Sequence, residues 1–109
     1  MTESEMQRTL DAIQVVDGIK GLASAQFVVE AVSENPELKN KLFRELDAVC
    51  APDAILATNT SSISITTIAA QTKRPHLVAG IHFMNPVPVM KLVEGIRGIQ
   101  TADETFKTV

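Results

Sequence analysis

Apolar and polar positions along this chain fall into blocks with two different periods. Residues 26–32, QFVVEAV, form a short run that is apolar toward both faces, as a buried parallel strand requires. Asn35-Pro36-Glu37 then offer a cap, a first-turn proline and a first-turn acid. Leu38, Leu42, Leu46 and Val49 follow at helical spacing, with Lys39, Lys41 and Arg44 on other faces, until Ala51-Pro52-Asp53 ends the helix. A second strand is predicted over 55–58, then the polar cluster Asn59-Thr60-Ser61-Ser62 and a short helix over 65–71. LVAGIHF (77–83) reads as a third strand and KLVEGIR (91–97) as a fourth, joined across Met84-Asn85-Pro86-Val87-Pro88. Before all of these lie a polar helix over 3–12 and a brief apolar run, Ile13 to Val16, closed by the turn dipeptide Asp17-Gly18. At the other end Thr101-Ala102-Asp103-Glu104 has capping-box spacing and opens a last helix.

Strand, helix, strand, short helix, strand is the order of an open parallel α/β sheet. The fold expected over 1–109 is therefore a single partial Rossmann-like domain, mostly parallel, with a C-terminal antiparallel hairpin. Right-handed connections gather the segments that follow each strand at one sheet edge, where ligands of such folds bind. Glu34, Ser61 and His82 all fall at or just after strand ends. A dinucleotide-binding sheet usually opens with a GxGxxG turn, and none of the five glycines here fits that fingerprint. The first βαβ unit is accordingly expected to be lacking from these residues.

Composition narrows the function classes. With 109 residues, 45% hydrophobic and 21% charged, the chain suits one small globular domain. A net charge of −3 gives no reason to expect nucleic acid or an anionic membrane as partner. No apolar run approaches the roughly 18 residues of a membrane span, and the opening MTESEMQRTL lacks a secretory hydrophobic region, so neither membrane insertion nor secretion is expected. The single cysteine, Cys50, precludes an internal disulfide and reads as a small core residue in a reducing compartment. No metal-ligand spacing appears.

The most specific chemical offer is HFMNPVPVMKLVE, 82–94. A turn centred near Pro88 would set 82 opposite 94 in an antiparallel pair, with Cβ atoms about 4.5–5.5 Å apart on one sheet face. A carboxylate so placed would orient the His82 ring, fix its tautomer and stabilise its protonated form, making a general acid/base. The plainer reading is a structural hydrogen bond across a hairpin, and pattern alone does not separate the two. Ser61 could hydrogen-bond a substrate oxygen or serve, with Asn59, as turn and helix cap. Glu34 and Lys39 could contact a ligand at the helix start or be an acid favouring the helix dipole and a solvated cation. Asn85 is a turn former beside the histidine, and His76, after Arg74-Pro75, reads as an exposed loop residue.

Three stretches carry a resemblance: VVEAVSENPELKNKLFRELD (28–47), ATNTSSISIT (57–66) and GIHFMNPVPVMKLVEGIRG (80–98). In this order and spacing they resemble the 3-hydroxyacyl-CoA dehydrogenase family over nearly the whole chain. Asn85 after HFM is similar to single-function dehydrogenases and 3-hydroxybutyryl-CoA dehydrogenases, where many multifunctional relatives carry serine. The resemblance implies oxidation of the 3-hydroxyl of an acyl-CoA to a ketone with NAD as hydride acceptor. It implies His82 as the base that takes the hydroxyl proton and Glu94 as its carboxylate partner. It further implies Ser61 in contact with substrate and nicotinamide, Asn85 near the cofactor, and Glu34 and Lys39 in contact with NAD.

The family's opening glycine-rich unit and its helical C-terminal domain, which closes the substrate cleft and forms the homodimer interface, have no counterpart in these residues. The isolated polypeptide is therefore expected to bind NAD poorly and turn over little. The alternative in another class is a non-catalytic binding fragment that keeps the fold. Other hydroxy-acid dehydrogenases of the superfamily, several of which use a lysine base, fit less well with a His/Glu pair. A bacterial-type cytoplasm is expected over a mitochondrial matrix.

Overall fold

The computed structural model describes residues 2–60, 63–84 and 89–109. Its centre is a four-stranded sheet of order β1-β2-β3-β4, formed by β1 (Phe27–Glu30), β2 (Ile55–Thr58), β3 (Val78–Phe83) and β4 (Val93–Arg97). The first three strands pair in parallel and the last runs antiparallel to its neighbour, the mixed architecture expected of a partial Rossmann fold. The helices are α1 (Glu3–Asp11), α2 (Pro36–Val49), α3 (Ile65–Ala69) and α4 (Asp103–Thr108). Short 3-10 turns occupy Ile19–Leu22 and Pro75–Leu77.

Helix α2 starts where the sequence places it. The Asn35 side chain accepts from the backbone N–H groups of Glu37 and Leu38, and Pro36 fills the first turn. The face it buries is one position away from the leucine stripe. Lys39, Phe43, Leu46 and Cys50 point inward, whereas Leu38 is 37% exposed. Phe43 and Leu46 pack with Val28, Leu56, Ile65, Ile68 and Val78 to form the core between the sheet and α2/α3. The lysine read as lying on an outer face is thus completely buried. An ion pair, described below, is what permits it.

Other expectations need correction at their edges. Strand β1 is shorter than the apolar run and only one of its faces is buried, with Val29 41% exposed. It ends at Glu30 because that side chain turns back to accept the N–H of Val32. Ile13 to Val16 join no strand among the described residues, and Val15 is 92% exposed. The capping box expected at Thr101 does not form. The Thr101 hydroxyl donates to the Val78 carbonyl at 2.7 Å and accepts from Gly98 N–H at 2.9 Å, which leaves Ala102 as the uncapped start of α4. A capping box occurs instead at α1, between Thr2 and Glu5.

Among the described residues, no helix is long and apolar enough to cross a membrane. Arg74, 5% exposed, locks the far end of α2 to the sheet. It pairs with Asp47 and donates to the carbonyls of Asp47, Cys50, Ala51 and Ala54.

Candidate active site

The carboxyl edge of the sheet is built on one row of residues running across all four strands. Glu30 pairs with Thr58, Thr58 with Gly80, and Gly80 with Ile96. Gly80 is required there. A Cβ at this position would lie 2.8 Å from Ile65 Cδ1 and 2.9 Å from Ile96 Cβ, so the glycine is what lets α3 settle onto the sheet.

Two residues further toward the edge, on the same face by strand alternation, His82 stands directly opposite Glu94. The hairpin register is the one that a turn about Pro88 dictates. Nδ1 of His82 lies 3.8 Å from Oε2 of Glu94, with the side chains 32% and 53% exposed. That distance is beyond a direct hydrogen bond, yet close enough for the carboxylate to attract a protonated ring. The imidazole is reachable from solvent and supported from below by the glycine row.

Toward the other edge lies a buried polar cluster. Lys39, with no exposed surface, donates to both carboxylate oxygens of Glu30 at 2.9 and 2.7 Å and to the Val32 carbonyl at 3.4 Å. Thr58 adds a 2.6 Å hydrogen bond to Glu30 Oε1. The second acid, Glu34, presents Oε1 at 3.7 Å from the Lys39 ammonium and accepts from Thr60 Oγ1 at 2.8 Å through Oε2. Glu34 keeps 40% of its side chain exposed while Thr60 is buried. A cleft of about 300 Å³ opens beside Thr60 between α3 and β4, lined also by Ile63, Ser64, Ile65 and Ile96.

The structure thus groups the predicted candidates in two places, His82 with Glu94 and Glu34 with Lys39. Ser61 and Asn85 lie outside the described residues. Sequence reading missed Glu30, Thr58 and Thr60. The available signal was an acid inside an otherwise apolar strand, which needs a buried partner and finds it in the lysine of the next helix. Cys50 offers no reactive thiolate: burial pushes its thiol up, only partly opposed by the Arg74 guanidinium. His76 is exposed, as expected.

An open, mostly parallel α/β sheet with polar side chains gathered at its carboxyl edge is the architecture of a nucleotide-binding type of domain. The family model for the 3-hydroxyacyl-CoA dehydrogenase NAD binding domain matches residues 1–109, and the chain belongs to this family. It is 53% identical over 107 residues to a 3-hydroxyadipyl-CoA dehydrogenase of Escherichia coli, covering 98% of this chain and 22% of that protein. It is 50% identical over 107 residues to a 3-hydroxybutyryl-CoA dehydrogenase of Bradyrhizobium diazoefficiens, covering 98% of this chain and 36% of the relative. The crystal structure of 3-hydroxybutyryl-CoA dehydrogenase from E. coli superposes with a TM-score of 0.96 at 51% identity, over 99% of this chain and 23% of that one. The chain therefore spans about a third or less of the length of these relatives.

The family model matched is the NAD-binding domain of these dehydrogenases. Glu34, anchored from below and partly exposed, is an acceptor for hydroxyl or amide N–H donors. Nothing in the sequence matches the glycine-rich turn that would hold the pyrophosphate.

Proposed function

We propose that this chain supplies the later part of the NAD-binding domain of an enzyme that oxidises (3S)-3-hydroxyacyl-CoA to 3-oxoacyl-CoA in fatty-acid metabolism. The observation that carries the reading is the pairing of His82 with Glu94 on one face of the β3/β4 hairpin. His82 takes the proton from the substrate 3-hydroxyl through the nitrogen turned away from Glu94. The imidazolium that forms moves toward the carboxylate, which stabilises it and holds the ring against rotation. NAD, when bound, supplies the hydride acceptor. Glu34 and Lys39 form its polar wall, Glu34 directly, and Ser61 and Asn85 add contacts to substrate and cofactor. The working protein is a cytoplasmic homodimer.

A second reading, a non-catalytic binding fragment, is favoured by one observation: His82 Nδ1 and Glu94 Oε2 lie 3.8 Å apart, beyond a direct hydrogen bond. On either reading the 109 residues alone bind NAD only in the millimolar range and turn over little.

Grafting the chain in place of the matching segment of the Bradyrhizobium relative separates the two. NADH formation from 3-hydroxybutyryl-CoA is expected in the graft, reduced about 10²–10⁴-fold in kcat by His82→Gln and less by Glu94→Gln. A His82→Gln graft as fast as its parent would remove the histidine from the mechanism. A folded graft that makes no NADH would support the non-catalytic reading.

A further inference from the structure

We propose that Thr60 is a positioning residue that sets the Glu34 carboxylate for the cofactor. The inference rests on the assignment of Glu34 to the NAD site and extends it to a residue that does not itself meet the ligand. Thr60 is 2% exposed, so its hydroxyl must be satisfied within the protein. Oγ1 donates its only proton to Glu34 Oε2 at 2.8 Å and accepts the backbone N–H of Ile63 at 3.1 Å. The acceptor bond fixes the oxygen, and the donor bond then has a single direction, toward Glu34.

Among the described residues, Lys39 and Thr60 both hold Glu34. The buried Lys39 ammonium lies 3.7 Å below Oε1, itself engaged by both oxygens of Glu30, and Thr60 holds Oε2 laterally. Lys39 supplies charge, but at that distance it does not fix a rotamer. Thr60 does. A half-exposed glutamate otherwise samples several side-chain states and would lose that freedom on binding. Holding it beforehand moves that loss from the binding step to folding. The same hydroxyl ties the β1–α2 loop to the loop entering α3, which Ser64 caps through Thr67 N–H.

The test uses this chain as it stands, titrated with NAD and followed by backbone amide shifts, which read millimolar affinities. Thr60→Val keeps the volume and removes the donor, and it should weaken NAD about tenfold. Thr60→Ser restores the hydroxyl and should return affinity to within about twofold of the parent. Glu34→Gln should weaken binding comparably. On this assignment Thr60 acts on the cofactor through Glu34, so the double variant should bind no worse than Glu34→Gln alone.

Additive losses in the double variant overturn the proposal, as does wild-type affinity in Thr60→Val beside a weakened Glu34→Gln. Wild-type affinity in Glu34→Gln, or no NAD-induced shift in the parent, overturns instead the cofactor assignment beneath it. Should Thr60→Val lose the fold, Thr60→Cys, a similar volume with a weak donor, carries the same expectation.

Discussion

A lysine with no exposed surface is tolerable only because of what surrounds its ammonium. Lys39 meets both oxygens of Glu30 and the Val32 carbonyl, and Glu30 in turn is held by Thr58 and Val32 N–H. Removing either partner strands the other's charge in the core. Lys39→Met, close in shape but uncharged, should therefore destabilise the chain by about 3–5 kcal/mol, read from denaturant unfolding. The double change Lys39→Met with Glu30→Leu should recover much of that loss, since no lone charge then remains. If the single and double variants unfold at the same denaturant concentration, the pair is not what keeps these groups buried. At this scale the sequence disclosed one side-chain pairing and hid the other. The pairing of His82 with Glu94 was legible because antiparallel register follows from the centre of a connection, which the sequence puts near residue 88. The Glu30–Lys39 pair joins a strand to a helix, and its register depends on which helix face turns inward, a tertiary choice that sequence periodicity alone did not resolve.

Element boundaries show the same competition between local signals and packing. The leucines of α2 suggested one stripe, but Phe43, the bulkiest side chain available, and the Lys39 ion pair rotate the helix by about one position, leaving Leu38 partly outside. Thr101 has the right spacing for a capping box, yet the buried Val78 carbonyl claims its hydroxyl. Helix α3 has only five residues, too few to be stable by itself, and is placed by the ladder it rests on. Gly80 determines how closely it rests. Gly80→Ala would bring a methyl within 3 Å of Ile65 and Ile96, both held by the sheet and core, and overpacking of this kind costs about 1–3 kcal/mol. The loss should be accompanied by shifted amide resonances in α3 and around His82, while those of α1 stay put. Unchanged stability and unchanged α3 resonances would mean that the helix yields without resistance. Strand order and the antiparallel hairpin were legible because patterning and turn chemistry agreed. The extent of β1 was not, because its apolar run does not reveal that one face remains uncovered.

The whole molecule carries more surface than its size warrants. A folded monomer of this mass exposes about 5,900 Å², whereas this chain exposes 7401 Å². Its radius of gyration, 14.7 Å, also exceeds the roughly 13 Å of a compact chain of this length. Helix α1 buries no residue and residues 2–18 are all exposed, and further apolar surface lies open at both margins of the sheet. Beyond β1, the order of the sheet leaves one strand edge unpaired among the described residues, near which Val29 is 41% exposed. Ile13 and Val15, earlier in the chain, are 63% and 92% exposed. Along β4 and its flanks, Val89, Leu92 and Ile99 are 72%, 58% and 88% exposed. An open strand edge combined with scattered large apolar side chains invites association. A net charge of −3 opposes it only weakly, and less so as salt screens it. The isolated chain should therefore self-associate over tens to hundreds of micromolar, with a sedimentation coefficient that rises with concentration and rises further with added salt. Val29→Lys, on the outer strand β1, and Leu92→Lys, beside β4, place a cation at each margin and test them separately. Whichever restores a concentration-independent monomer marks the margin responsible. A monomer at every concentration in the unmodified chain would mean that charge and strand twist already suffice to keep both margins apart.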